Sequence, residues 1–406
     1  MNAPNEAAVR AAAAPSAEAL HLIDSLLGFP TVSRDSNLGL IEFARDYLLR
    51  LGARPRLVYE SSGKKANLFC SLGDEAAMKA GGLVLSGHTD TVPVDGQDWT
   101  TDPFKATHGD HRIYARGSAD MKGFIAIALA WAPRFLAKHE KTPIHLSLTF
   151  DEETTFLGVR TLLADLAERG VKPAACVIGE PTDMQVIVAH KGKRDYCCRV
   201  RGREAHSSLT PTGVNAIEHA AQVIGFIRGL AARQAREETP DARFSVPYST
   251  LQTGVIRGGI AVNVVPRDCE FDFEMRNTPA TSQDALADEI RAFAEREVLP
   301  QMRAVAEDSA ITFTRGMSLP AFGIDIDVPL VQWAQDLAKT RQLGPGAVGF
   351  ATEASVFMQA GIPTVVLGPG SIEQAHKPNE YISYAQVVAC EQLFERLIAQ
   401  PLPRLA

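Results

Sequence analysis

The chain has 406 residues, more than one hydrophobic core ordinarily serves, so two domains are expected. Hydrophobic residues make up 46% and the net charge is −7, with acidic and basic residues mixed along the chain. This composition argues against a disordered chain, and the lack of a basic block or a long apolar run argues against a nucleic-acid partner or a membrane span.

The Ala-rich stretch Met1 to Ala19 has no basic start followed by a long apolar run, so it reads as a flexible tail rather than a signal peptide. From about Glu18 the pattern is helical, with Leu20, Ile23, Leu26 and Leu27 on one face and Gly28 and Pro30 ending it. A second helix is predicted from Leu40 to Leu51. Strand-like runs follow at Leu83 to Leu85, Arg112 to Ala115, His145 to Phe150, Ala175 to Ile178 and Thr364 to Leu367. Helical stretches at Gly123 to Leu136 and Gly158 to Arg169 separate several of them. That alternation predicts an α/β sheet covered by helices.

The middle of the chain differs. Strands are predicted at Asp195 to Arg201, Thr250 to Ile256, Cys269 to Arg276 and Ile311 to Thr314, with helices at Asn215 to Leu230 and Ser282 to Val298. Cys269, Phe271, Phe273 and Met275 alternate with Glu270, Asp272 and Glu274, a period of two that buries one face. Thr281 with Asp284 suggests a capping box for the second of these helices. The order β-α-β-β-α-β is the ferredoxin-like arrangement. The expected domains are therefore residues 1–193 and 310–406 together, with an inserted domain at 194–309. The six cysteines, Cys70, Cys176, Cys197, Cys198, Cys269 and Cys390, form no Cys-x-x-Cys pair and suit buried thiols in a reducing cytosol.

Polar residues cluster where the predicted strands end. His88 and Asp90 follow Leu83 to Gly87, Asp120 follows Arg112 to Ala115, and Asp151-Glu152-Glu153 follows His145 to Phe150. Glu180 follows Cys176 to Ile178, and His376 comes after Val365 to Leu367. Ligands collect beyond the carboxyl ends of strands in open α/β sheets. Each motif alone is unspecific. Together they offer nitrogen and oxygen donors suited to zinc or a similar divalent ion. Two cations a few ångströms apart require an anionic ligand between them, and Asp120 is the natural bridge.

His88-Thr89-Asp90-Thr91-Val92-Pro93, the stretch Gly117 to Gly123 and Asp151-Glu152-Glu153 resemble the two-metal family of aminoacylase, carboxypeptidase G and succinyl-diaminopimelate desuccinylase. Thr352-Glu353-Ala354, the run Val366 to Ile372, Gln374-Ala375-His376, the run Asp98 to Phe104, Ala189-His190-Lys191-Gly192 and Val246-Pro247-Tyr248 resemble, more narrowly, its acetylornithine deacetylase branch. The resemblance covers roughly residues 20 to 390.

The resemblance implies a mixed-sheet catalytic domain with an inserted lid and dimerisation domain. It implies two divalent ions per chain, zinc or else cobalt. His88 and Glu180 would hold one, Glu153 and His376 the other, and Asp120 both. Asp90 would fix the ring of His88 by accepting its other N–H. Glu152 would serve as general base toward a water bridging the two metals, whose pKa two cations depress. His206 would donate to the oxyanion from a neighbouring subunit. Asn263 and Arg276 match positions that contact substrate, with Arg276 suited to a carboxylate. Backbone N–H groups at Gly368 and Gly370 could assist as an anion nest, and Glu353 could pair with a substrate ammonium. The implied reaction is hydrolysis of N2-acetyl-L-ornithine to acetate and L-ornithine in the cytoplasm, by a homodimer. Hydrolysis of another N-acyl amino acid, an N-succinyl diamine or a dipeptide, and a non-catalytic metal-binding scaffold, are the other readings.

Overall fold

The computed structural model describes residues 14–73, 81–138, 143–400 and 402–403. Most of the expected flexible tail lies outside these residues. Its end does not behave as a tail: Ser16 caps a helix that begins at Ala17, and Ala19 is fully buried. The elements follow in chain order as α1 (Ala17–Leu27), α2 (Leu38–Arg50), β1 (Arg56–Tyr59), β2 (Ala66–Leu72), β3 (Leu83–His88), β4 (Thr107–Gly109), β5 (Arg112–Tyr114) and α3 (Lys122–Ala137). Next come β6 (Ile144–Thr149), α4 (Leu157–Glu168), β7 (Ala175–Ile178), β8 (Ile187–His190), β9 (Lys193–Arg201), α5 (Ala216–Glu237), β10 (Thr250–Gly258), β11 (Asp268–Arg276) and α6 (Gln283–Phe293). The chain closes with α7 (Leu299–Arg303), β12 (Ala310–Leu319), β13 (Phe322–Gly323), α8 (Pro329–Ala338), β14 (Gly346–Val348), α9 (Ala354–Gln359), β15 (Thr364–Val366), β16 (Tyr381–Ser383) and α10 (Tyr384–Ala399).

The chain forms two compact units. The first comprises Met1–Val188, Ile324–Gly346 and Thr352–Ala406; the second comprises Ala189–Gly323 with Ala347–Ala351. In the first unit the sheet runs β1-β2-β6-β3-β7-β15-β8. Its centre is parallel, β6 with β3, β3 with β7 and β7 with β15, and its margins are antiparallel. Every residue of β2, β3, β6 and β7 is buried, as expected where both faces are covered. Burial is nearly all-round in α3 as well, from Lys122 to Ala132, so this helix lies within the core rather than on it. The strand expected at Arg112 to Ala115 forms as β5 but outside this sheet. It pairs with β4 and β16 in a separate three-stranded sheet.

The second unit takes in the expected insert together with β13 and the return at Ala347–Ala351. Its sheet order is β10-β11-β9-β12, every neighbour antiparallel, the ferredoxin-like order. The alternation in β11 resolves as the sequence pattern requires. Cys269, Phe271, Phe273 and Met275 are buried and register against Val200, Cys198, Tyr196 and Arg194 of β9. Ala216, Ala220, Val223, Ile227 and Leu230 of α5 cover that face at a spacing of three and four. The cap of α6 is Ser282, whose hydroxyl accepts from Ala285 N–H at 3.3 Å, and not Thr281. Thr281 instead donates to Glu238 at 2.8 Å. The helix expected to Val298 forms and runs on to Arg303: α6 passes through a π-helical turn at Ala294–Val298 into α7 without leaving helical backbone, and Pro300 stands in the first turn of α7.

Candidate metal centre

His88 ends β3 and is almost fully buried. Its Nε2 lies 2.9 Å from Asp120 Oδ1 and 3.7 Å from Glu180 Oε1. Asp120 reaches this point from the turn between β5 and α3, and Glu180 from the first turn after β7. The other Asp120 oxygen, Oδ2, lies 3.4 Å from His376 Nε2, and that nitrogen lies 3.1 Å from Glu153 Oε2. Two trios result, His88–Asp120–Glu180 and Asp120–Glu153–His376, each with donor atoms within 4.8 Å of one another. The aspartate common to both is the residue expected to bridge. A third trio, Cys197–Glu270–Asp272, sits in the second unit, where Arg199 and Arg257 already approach both carboxylates.

The donor set fits divalent cations. Asp120, Glu152 and Glu180 are buried, and Glu153 nearly so, around only two imidazoles. Burial and mutual repulsion push the carboxyls of Glu152, Glu153 and Glu180 up. Hydrogen bonds to Asp120 and Glu153 hold the His376 imidazolium to about 10. Burial disfavours the His88 imidazolium, but Asp120, Glu152 and Glu180 outweigh it and push that ring up too. The acids thus draw protons onto both rings, and a bound cation would replace those protons.

Asp90 acts differently from the expectation. His88 Nδ1 donates to the main-chain oxygen of Asp90 at 2.9 Å, while the carboxylate stands off at 3.7 Å. The main chain therefore sets the ring's tautomer. The Asp90 carboxylate accepts instead from Glu152 N–H at 3.1 Å, Glu153 N–H at 3.3 Å and Ser33 Oγ at 2.7 Å. It fixes the turn that carries the two glutamates. Lys65 clamps the preceding residue, Asp151, which adopts φ +57°. Glu152 is buried beside the His88 trio but belongs to neither trio, the arrangement a base needs.

The remaining candidates lie in varied surroundings. Glu353 is 1% exposed, and neither carboxylate oxygen has a hydrogen-bond partner among the described residues. Burial pushes its carboxyl up to about 7, against the nearby Thr149 and Ser86 hydroxyls. A group so enclosed offers no surface to a substrate ammonium. The Gly368 N–H donates to Thr182 Oγ1 at 3.2 Å and the Gly370 N–H to Gln386 Oε1 at 3.1 Å, so neither is left for an anion. A Cβ at Gly368 would stand 2.1 Å from Gly179 O, so glycine there serves close packing beside Glu180. In the second unit His206 and Asn263 are neighbours: Ser207 N–H donates to Asn263 O at 3.1 Å. His206 Nδ1 accepts from Ser208 N–H at 3.2 Å, which leaves the proton on Nε2 of this exposed ring. Arg276 is held by Glu274, Nε to Oε1 at 2.9 Å.

Sequence reasoning missed Glu380. This buried carboxylate accepts from Arg116 Nη1 at 2.7 Å and from the N–H groups of Gly117 (3.1 Å), Ala119 (2.9 Å) and Asp120 (3.0 Å). An isolated Glu after Pro378-Asn379 carries no sequence signal of burial.

The profile of the family described as peptidase family M20/M25/M40 matches residues 84–400. The chain belongs to this family. It is a hydrolase of the M20 group, whose members depend on metal. Acetylornithine deacetylase of Pasteurella multocida is 34% identical over 390 residues, covering 94% of this chain and 97% of the relative. Acetylornithine deacetylase of Edwardsiella ictaluri is 36% identical, covering 93% and 96%. The M20 fold is shared with aminopeptidase PepT from Bacillus cereus, at TM-score 0.71 and 20% identity over 94% of this chain and 98% of that one. A dinuclear metal-binding M20 peptidase from Bacillus subtilis aligns at TM-score 0.66 and 14% identity, covering 94% and 96%. Among the described residues no helix is long and apolar enough to cross a membrane.

Proposed function

We propose that this M20 hydrolase cleaves N2-acetyl-L-ornithine to acetate and L-ornithine in the cytoplasm. The observation that carries the hydrolytic part is the Asp120 carboxylate shared by two donor trios, with the buried Glu152 beside them. The relatives named for that reaction, alike over nine-tenths of their length, support the substrate. Zinc or cobalt suits the mixed nitrogen and oxygen donors. His88, Asp120 and Glu180 would hold one ion, and Asp120, Glu153 and His376 the other. Bound there, they would polarise the amide carbonyl and acidify water.

The chain's own groups do the rest. Glu152 takes the proton of the attacking water and returns it to the departing amine, so one carboxylate serves as base and then acid. Its orientation depends on Asp90, which holds its N–H. His206, with its proton on Nε2, supplies a donor for the developing oxyanion in the site of a second copy, and Arg276 meets the substrate carboxylate. The homodimer forms through the second unit. There β10 is an edge strand, and Ile256, Ile260 and Val262 are exposed, Val262 completely.

A substrate panel tests the reading. N-acetyl-ornithine should give a higher kcat/KM than N-acetyl-methionine or N-succinyl-diaminopimelate. Preference for either of the others would overturn the substrate and leave the hydrolase. Two tightly bound ions with no turnover of any of the three would favour a binding scaffold.

A further inference from the structure

Two loops carry Asp120 and His376, two of the three members of the second trio, and one buried ion pair holds both. The Asp120 loop is pinned at three main-chain N–H groups by Glu380. The same carboxylate pairs with Arg116, and the two side chains are 0% and 1% exposed. Arg116 then extends toward the His376 loop. Its Nη1 donates to Lys377 O at 3.3 Å and its Nη2 to Gln97 Oε1 at 2.7 Å. Gln97 Nε2 donates to the main-chain oxygen of His376 at 2.9 Å. Trp99 closes the group, donating its indole N–H to Gln97 Oε1 at 3.1 Å, with its ring under the Arg116 guanidinium. His376 and Asn379 both adopt positive φ, +64° and +59°, so this turn persists only where its surroundings fix it. Asn379 is tied as well, accepting from Thr100 N–H and Oγ1.

The first trio has a different frame. His88 is the last residue of a central strand, with its ring fixed by Asp90 O. Glu180 follows the neighbouring parallel strand. Of that trio only Asp120 depends on Glu380.

We propose that Glu380, acting through Arg116 and Gln97, is the positioning residue of the second metal subsite, the one made by Asp120, Glu153 and His376. It sets the separation between the bridging carboxylate and the His376 imidazole, and so the relative affinity of the two subsites. The proposal rests on the two-metal reading above. Glu380 touches neither substrate nor reacting atoms. A glutamine there keeps the volume but turns an amide NH2 toward main-chain N–H groups that need an acceptor.

The test is zinc titration of the metal-free full-length chain against a competing chelator, with the absorption spectrum of the two-cobalt form as a second readout. In Glu380→Gln the step that fills the Asp120–Glu153–His376 subsite, identified as the step lost in His376→Ala, should lose about 10–100-fold in affinity, and the other step should change least. The cobalt spectrum should shift in the half that arises from that subsite. Gln97→Leu removes the link to His376, together with the acceptor for Arg116 Nη2 and the Trp99 indole, but leaves the Glu380 contacts to the Asp120 loop, and should weaken the same step, by less. Equal weakening of both steps in Glu380→Gln would show a general loss of structure and overturn the proposal. Should Glu380→Gln fail to fold, Gln97→Leu decides, and unchanged affinity of the His376 subsite overturns the proposal. Wild-type protein that takes up one ion alone would sink the two-metal reading and this proposal with it. Two ions in wild type with unaltered affinities in both variants would sink this proposal only.

Discussion

Glu152 and Glu353 are both buried glutamates in the first unit, yet their surroundings give them opposite uses. Glu152 stands beside the trios with its main chain anchored to Asp90. Glu152→Ala should retain two metal ions and lose roughly 10²–10⁴-fold in kcat, read from metal content and steady-state rates on the same sample. Activity near wild type would place the base elsewhere. Glu353 has no such outlet. Burial raises its carboxyl to about 7 from 4.5, so the folded chain favours the protonated form. That preference stabilises fully below the unfolded value and is lost as pH rises through the folded one. In metal-free protein the stability of wild type relative to Glu353→Gln should therefore fall by about 3 kcal/mol between about pH 4.5 and about pH 8. Urea unfolding at several pH values checks this, and a pH-independent difference would mean that Glu353 is already paired when folded. The two residues also mark how far single residues could be read in advance. His88, Asp120, Glu153, Glu180 and His376 stood out because side chains of metal-binding type followed apolar strand runs. The enclosure of Glu353 was not legible, because a helix-start acid looks the same in sequence whether it faces solvent or a sheet. Glu380 was invisible because its partners, Arg116 and three main-chain N–H groups, are more than 250 residues away.

Elements were legible where burial is one-sided. β11 alternates cleanly, and its two faces should respond differently to truncation. Phe271→Ala, in a fully buried site on a central strand, should cost about 3–5 kcal/mol, whereas Asp272→Ala on the open face should stay within about 0.5 kcal/mol. Chemical denaturation of the two variants measures the contrast, and similar losses would mean that the open face is covered. The apolar stripe of α5 predicted its start at the Asn215 cap but not its end. The stripe stops at Leu230, and the helix continues to Glu237 on strong helix formers and an ion pair between Arg233 and Glu289 of α6. Periodicity reports which face packs, so a solvated last turn leaves no trace in it. The same limit hid the π-turn after α6, where the residues Ala294 to Val298 keep a helical pattern while the backbone widens. It also concealed that β5 belongs to a small separate sheet, since a three-residue strand carries no sign of its partner.

At the scale of the molecule, one prediction concerns assembly. Light scattering should show a dimer, and Val262→Asp with Ile260→Asp should shift it toward monomer, because a charge on each of two exposed apolar residues opposes burial against a second copy. A wild-type monomer with full activity would count against both the dimer and the role of His206. His206→Ala protein mixed with Glu152→Ala protein should regain activity if His206 serves another copy's site. The split of the first unit was legible as a change in pattern near residue 194 and again near 309, although the contact boundaries at Ala189 and Gly323 lie further out, where strands rather than loops make the crossing. That split has a consequence for how the protein is made. A growing chain has all three members of the His88 trio once residue 180 has been added, but it has no His376 until the whole second unit has been synthesised. If metal binds as proposed, an ion encountered during translation would find the donors of one subsite first, at a stage when Glu380, which pins the Asp120 loop, has not yet been made. The bridging role proposed for Asp120 would have to wait until the carboxyl-terminal segment returns to the sheet it left at β8.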